Sequence, residues 1–225
     1  MLDAVLFDLD GTLADTVPSL VSCVNHALAQ YGLPVRDESV ILSLIGAGER
    51  DFFRGAIDED VLRARGEAFF EEIFRCYVDY CAAHTCDLIV PYAGVTEAID
   101  TLREEGYRLG VVSNKAHALV VQITETLFPG RFSAVIGVGE YPPKPDPTVA
   151  VAAAKMLGVR PARCVFVGDS EFDMMTAVNA GMAPLGVSWG YRPVMLLKRH
   201  GAAAICDDPR ELPQVIDACR KGLIL

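Results

Sequence analysis

The sequence predicts an α/β fold: a doubly wound, mostly parallel Rossmann-like sheet with an inserted all-helical cap. Three features of the 225 residues carry that expectation. Short apolar runs alternate with amphipathic helical stretches from Val90 onward, one long helical stretch separates the first run from the rest, and the runs end in carboxylates, small polar residues or glycine. Strands buried on both faces read as such continuous apolar runs, and parallel pairs need a crossover helix between them.

Residues 4 to 8 (AVLFD) are too few for a helix and suit a buried strand. A turn follows at Gly11. From Pro18 the spacing is helical, with Leu20, Val21, Val24 and Leu28 on one face and proline in the first turn, where its missing N–H costs nothing. Helical periodicity continues to about Cys86, including Val61 to Cys81, with Gly46, Gly48 and Gly55 dividing it. Val95 to Glu105 is an amphipathic helix stopped by Gly106, and 108 to 113 (RLGVVS) is a buried strand. Ala116 to Leu127 is a helix, Ala134 to Val138 a strand, Pro147 to Leu157 a helix ended by Gly158, and 164 to 168 (CVFVG) a strand. A helix from Phe172 to Gly181, a strand from Pro184 to Ser188 and a helix from Pro209 to Cys219 complete the pattern. The expected core is therefore 1–15 with 87–225 and the expected cap 16–86, with crossings near Asp15 to Pro18 and Thr85 to Pro91.

Composition narrows the function. A net charge of -10 repels a phosphate backbone, so nucleic-acid binding is not expected. The 52% hydrophobic and 22% charged fractions suit a chain with a core to bury. No apolar run approaches the ~18 residues of a membrane span. Asp3, Asp8 and Asp10 interrupt the only apolar stretch near the start, so a cytoplasmic protein is expected, as a monomer or homodimer. The spacing of Cys76, Cys81 and Cys86 suits half-buried helix thiols better than the paired ligands of a zinc site.

In a doubly wound sheet the ligand site lies beyond the carboxyl ends of the strands. There this sequence places Asp8 and Asp10, then Ser113, Asn114 and Lys115, then Lys144, then Asp169 and Asp173. A single Asp after a strand commonly caps a turn or helix. Four of them, with a serine and a lysine on the same edge, call for a cation, because carboxylates so close cannot all ionise alone. A hard divalent ion with oxygen ligands fits, and Mg2+ fits best because it leaves room for a substrate phosphate.

DLDGTLADT (8–16), VVSNK around Ser113, KPDP (144–147) and GDSEFD (168–173) resemble the four ordered motifs of the haloacid dehalogenase superfamily, and the insertion after the first motif resembles its helical-cap subgroup. NAGM (179–182) and GVSWGY (186–191) are similar to its phosphoglycolate phosphatase branch. The resemblance implies a phosphatase acting on a small phosphorylated substrate, best matched by 2-phosphoglycolate. It assigns Asp8 as the nucleophile that forms an aspartyl phosphate, Asp10 as general acid and base, and Lys144 as the partner of Asp8 and the phosphate. It also implies Mg2+ on the Asp8 carboxylate, the Asp10 backbone carbonyl and Asp169, with Asp173 orienting that group. Ser113 and the Asn114 N–H would hold phosphoryl oxygens.

Within the superfamily, the presence of Asp10 argues against dehalogenation. The lack of a lysine before Lys115 argues against phosphonate cleavage through a cap Schiff base, and Leu20 stands where mutases place a histidine. Pyrophosphate, sugar phosphates and nucleoside monophosphates remain alternative substrates, and a catalytically silent binding module is the non-enzyme alternative. Cap specificity is expected in 45–54, where Gly46 permits close approach and Arg50 and Arg54 could meet an anionic leaving group or else pair with Glu49 or Asp58. The GxG at 137–139 lacks a dinucleotide fingerprint's third glycine, since Pro142 stands there. Trp189 and Tyr191 are expected to pack.

Overall fold

The computed structural model describes residues 2–46 and 48–221. The chain divides into two compact units, Met1–Asp15 with Val90–Leu225 and Thr16–Ile89. The second crossing thus falls after Ile89, three residues beyond the expected 86, and Ala47 of the expected specificity segment lies outside the described residues.

β1 (Ala4–Phe7) is buried along its whole length, as its apolar run requires, and β2 (Ala14–Asp15) follows a tight turn. The inserted unit then supplies α1 (Val17–Gln30), α2 (Glu38–Leu44), α3 (Glu49–Gly55) and α4 (Glu59–His84). In α1, Leu20, Val24 and Leu28 are buried as expected, with Cys23 and Ala27 completing the stripe, while Val21 is half-buried. In α4 the helix is interrupted at Gly66, whose φ of 77° lies in the left-handed region that glycine alone enters at little cost. The periodicity around it hid this break.

β3 (Val90–Pro91) pairs antiparallel with β2, a two-stranded ribbon too short to be read from sequence. Alternation then runs as expected through α5 (Val95–Glu104), β4 (Arg108–Ala116), α6 (His117–Leu127), β5 (Ala134–Val138), α7 (Thr148–Met156), β6 (Cys164–Gly168), α8 (Glu171–Ala180) and β7 (Ala183–Val187). Two further elements were not foreseen: α9 (Val194–Arg199) and the edge strand β8 (Ala204–Cys206). α10 (Leu212–Arg220) closes the described chain after a 3-10 turn at Pro209–Glu211.

The six strands are ordered β5-β4-β1-β6-β7-β8, and every adjacent pair is parallel. The order reverses about β1, first outward to β4 and β5, then to β6, β7 and β8 on the other side. That switch point is where a doubly wound sheet opens a crevice. Leu6, Val112, Ile136 and Phe166 pack with Val149, Ala150, Ala153 and Ala154 of α7 into one core layer. The small alanines bring the helix backbone close to the sheet and set a firm floor beneath the strand ends. Among the described residues no helix is long and apolar enough to cross a membrane.

Candidate active site

Asp8 follows β1 directly, and its N–H donates to Val167 O at 2.9 Å, which pins the end of β1 to β6. Its Oδ1 accepts from Leu9 N at 2.7 Å and lies 2.8 Å from Lys144 Nζ. The chain then folds back on itself: the N–H groups of Thr12, Leu13 and Ala14 all donate to Leu9 O, and Gly11 takes a φ of 82°. A Cβ on Gly11 would overlap the Asp169 carboxylate, so glycine is needed for conformation and for space alike.

The loop after β6 is built as tightly. Ser170 caps α8 and exchanges bonds with Asp173: Asp173 N donates to Ser170 Oγ at 3.3 Å, and Ser170 N donates to Asp173 Oδ2 at 2.9 Å. This is a capping box with aspartate in the usual glutamate place. The other oxygen of Asp173 lies 2.6 Å from Lys144 Nζ. Lys144 therefore bridges Asp8 and Asp173, with side-chain exposures of 2% for the lysine and 0% for Asp173. Asn114 braces the lysine's backbone, donating from Nδ2 to Lys144 O at 3.0 Å and accepting from Lys144 N at 2.7 Å. The side chain of Asn114 is thus a structural clasp, a use that the sequence reading, with only its backbone N–H in view, did not include.

Asp169 is held from two further directions. Thr12 Oγ1 donates to its Oδ1 at 3.0 Å and Tyr191 N donates to its Oδ2 at 2.8 Å. Trp189 Nε1 in turn donates to Thr12 O at 3.0 Å. Trp189 and Tyr191, expected only to pack, therefore belong to the wall of the site, and Gly190 between them lies so near that a Cβ would overlap Asp169. An Asp followed across the sheet by a W-G-Y turn offers no local signal for this, since the contact spans 22 residues.

Carboxylate oxygens of Asp8, Asp169 and Asp173 lie within 4.8 Å of one another, and all three residues are buried. Burial raises the Asp8 pKa well above the ordinary carboxylate value, the neighbouring Asp173 charge adds to it, and Lys144 only partly opposes. Asp169 is pushed up to about 7 by burial and then by Asp173. Burial would lower the Lys144 pKa, but Asp173 and Asp8 more than reverse this and hold it above the usual lysine value. The metal-free group thus keeps protons that a divalent cation would displace, and its all-oxygen donor set suits a hard ion.

Asp10 stands apart from this trio. Its Oδ1 lies 3.0 Å from Lys115 Nζ, with side-chain exposures of 13% and 10%. Ser113, Asn114 and Lys115 sit where β4 slips register against β5, Val112 pairing with Ile136 and Ala116 with Val138, so three residues on β4 face one on β5. Such an irregularity turns side chains out of the ladder toward a site. Ser113 is buried, and its Oγ accepts from Lys115 N at 3.2 Å.

In the inserted unit, Arg50 and Arg54 are engaged with α4 instead of Glu49 or Asp58. Arg50 pairs with Glu67 at 3.0 Å and with Glu71, Arg54 pairs with Glu67 at 2.5 Å, and both guanidinia lie over Phe70, at 4.8 and 3.8 Å from its centroid. Asp58 pairs with Arg36. Gly46, with φ at 120°, makes the turn before α3. Cys76, Cys81 and Cys86 are free thiols, Cys81 buried and the others half-buried.

A parallel doubly wound sheet whose switch point gathers buried carboxylates around a lysine is an α/β fold with an acidic cluster of the kind that suits a hard cation. The chain belongs to the haloacid dehalogenase-like hydrolase family, whose model matches residues 5–187. It is 32% identical over 219 residues to the N-acetylmuramic acid 6-phosphate phosphatase of Pseudomonas aeruginosa, covering 96% of this chain and 95% of that one. It is 31% identical over 212 residues to a phosphoglycolate phosphatase of Pseudomonas putida, covering 92% and 77%. The crystal structure of a predicted phosphoglycolate phosphatase from Haemophilus somnus superposes with a TM-score of 0.88 at 29% identity, covering 96% and 98%.

The buried carboxylates also set a stability signature. A carboxyl whose folded pKa is raised, as Asp169's is from 3.8 to about 7, contributes stability that is present below pH 4 and lost as pH rises through 7. Asp8 is shifted in the same direction. Metal-free protein is therefore expected to melt lower at pH 8 than at pH 5, and Mg2+ to raise the melting temperature more at pH 8 than at pH 5. Melts with chelator and with excess Mg2+ at both pH values check this; an equal gain at the two would count against cation binding by this group.

Proposed function

We propose that this protein is a Mg2+-dependent phosphatase that hydrolyses a small phosphate monoester through an aspartyl-phosphate intermediate, with 2-phosphoglycolate as the favoured substrate. The observation that carries the reading is the Asp8–Lys144–Asp173 bridge at the switch point, beside Asp169. Asp8 attacks phosphorus, and Lys144 holds its carboxylate in line and pairs with the phosphoryl group. Asp10 gives a proton to the leaving oxygen and then takes one from the hydrolytic water. Its carboxylate is paired with Lys115 and is not one of the buried trio, which supports that separate duty and would leave its backbone carbonyl to the cation. Ser113 and the Asn114 N–H receive phosphoryl oxygens. Asp8 and Asp169 would hold the Mg2+, and Asp173, occupied by Ser170 and Lys144, would orient them. When bound, the ion neutralises phosphoryl charge and fixes the oxygens for in-line displacement.

A second substrate has independent support. The N-acetylmuramic acid 6-phosphate phosphatase matches this chain over nearly the full length of both, whereas the phosphoglycolate phosphatase of Pseudomonas putida extends beyond the match. Initial rates of phosphate release with Mg2+ over a panel of 2-phosphoglycolate, N-acetylmuramic acid 6-phosphate, other sugar phosphates, nucleoside monophosphates and pyrophosphate decide between them. A ten-fold lead in kcat/KM, about 1.4 kcal/mol of transition-state discrimination, names the substrate. A panel with no turnover at all overturns the phosphatase reading and leaves a binding module.

A further inference from the structure

The lysine that the register slip of β4 brings against Asp10 has no part in the functional reading above. We propose that Lys115 selects the leaving group: its ammonium receives an anionic substituent on the carbon next to the ester oxygen, so that phosphate esters of 2-hydroxy acids are preferred. The inference rests on the proposed phosphatase activity and adds to it the class of leaving group.

Two lysines reach the carboxylate edge, and they are separated in space by their partners. Lys144 is committed to Asp8 and Asp173, on the side where phosphorus is attacked. Lys115 is set against Asp10, the group that serves the leaving oxygen. With four aspartates at -4, the two lysines and a divalent cation bring the formal sum to zero, so the site does not repel a substrate that carries one more negative charge than a simple monoester.

Reach supports the same assignment. A leaving oxygen hydrogen-bonded to Asp10 lies ~3 Å from its carboxylate, and Lys115 Nζ lies 3.0 Å from Asp10 Oδ1. The ammonium is therefore within about 6 Å of that oxygen. A carboxylate on the adjacent carbon projects its own oxygens about 3 Å from the ester oxygen, within the range of a charge-assisted hydrogen bond to Nζ. The Lys115 side chain is only 10% exposed, so such a contact is less weakened by solvent than one on the surface. Burial also limits the side chain's range: the strand holds its backbone, with Ala116 back in register with Val138. A sugar 6-phosphate carries no charge on the carbon next to its ester carbon and gains nothing from this lysine.

The test compares 2-phosphoglycolate with 2-hydroxyethyl phosphate, the same skeleton with an alcohol in place of the carboxylate, using wild type, Lys115→Met and Lys115→Arg with saturating Mg2+. The readout is the ratio of kcat/KM for the two esters within each protein, so a loss of folded protein or a disturbance of Asp10 lowers both esters and cancels. Wild type is expected to favour the acid at least ten-fold, Lys115→Met to bring the ratio near one, and Lys115→Arg to retain most of the preference. A preference unchanged in Lys115→Met overturns the assignment. A wild type that hydrolyses both esters equally overturns it while leaving the phosphatase reading intact; a wild type that hydrolyses neither overturns it too, and the phosphatase reading falls with it only if every other ester of the panel is also left intact.

Discussion

Asp8→Asn is expected to lower kcat for phosphate release at least about a thousand-fold, roughly 4 kcal/mol of transition-state stabilisation, on whichever ester leads the panel. The amide is nearly the same size and its oxygen can still accept from Leu9 N, but it cannot attack phosphorus. The same substitution removes one of the charges that burial and the Asp173 carboxylate already disfavour. Metal-free Asp8→Asn is therefore expected to melt at or above wild type at pH 8. Loss of activity together with an unchanged or higher melting temperature separates a chemical role from a structural one. A variant that kept more than a tenth of wild-type activity would remove Asp8 as nucleophile.

Lys144→Met is expected to have the largest effect on stability. The lysine is the cation shared by two buried carboxylates, and methionine keeps most of its volume while deleting the charge. Removing one partner from a buried ionic group costs about 3–5 kcal/mol, because the remaining charges stay desolvated. For a chain of this length that corresponds to a fall in melting temperature of roughly 6–20 °C. The fall should be smaller at pH 5 than at pH 8, because the raised pKa of Asp8 lets it be neutralised as protons become available. Excess Mg2+ should recover part of it at pH 8, by supplying positive charge to the same carboxylates, without restoring activity. Thermal melts of the variant at the two pH values, with and without Mg2+, give the answer; a fall of less than 2 °C throughout would mean that the bridge is solvated in solution.

The alternation of β4, α6, β5, α7, β6 and α8 was legible in the sequence because each strand is buried on both faces and reads as an unbroken apolar run between helices with one apolar face. The elements that escaped are short or lie at the edges. β8 has three residues and a half-buried pattern, α9 has six, and the β2–β3 ribbon has two residues per strand, so none spans enough chain to show a period. The Gly66 break in α4 was hidden for the opposite reason, since the apolar spacing continues on either side of it.

For the site, the residue types and their strand ends were legible, and of the partnerships only that of Lys144 with Asp8, implied by the family resemblance, was. Parallel topology carries Asp8 and Asp169, each directly after its strand, to one edge, and brings Ser113 there within the last part of β4, which runs in the same direction. That Lys144 also meets Asp173, that Lys115 turns to Asp10, and that Asn114 clasps Lys144 depend on a register slip, a loop path and a capping box that bring together residues 29 to 105 positions apart. Arg50 and Arg54 make the same point in reverse: their spacing on α3 put them on one face, but the aromatic and acidic residues of α4 took both guanidinia. The alternation of strands and helices and the acidic chemistry of the strand ends follow from local pattern and charge, which the chain carries in its own order, whereas the strand order is a property of the folded sheet. The pairing of each charge, and with it the buried pKa values and the separate partners of the two lysines, arises only when distant segments exclude water together, because the energy of a charge depends on its surroundings more than on its neighbours in sequence.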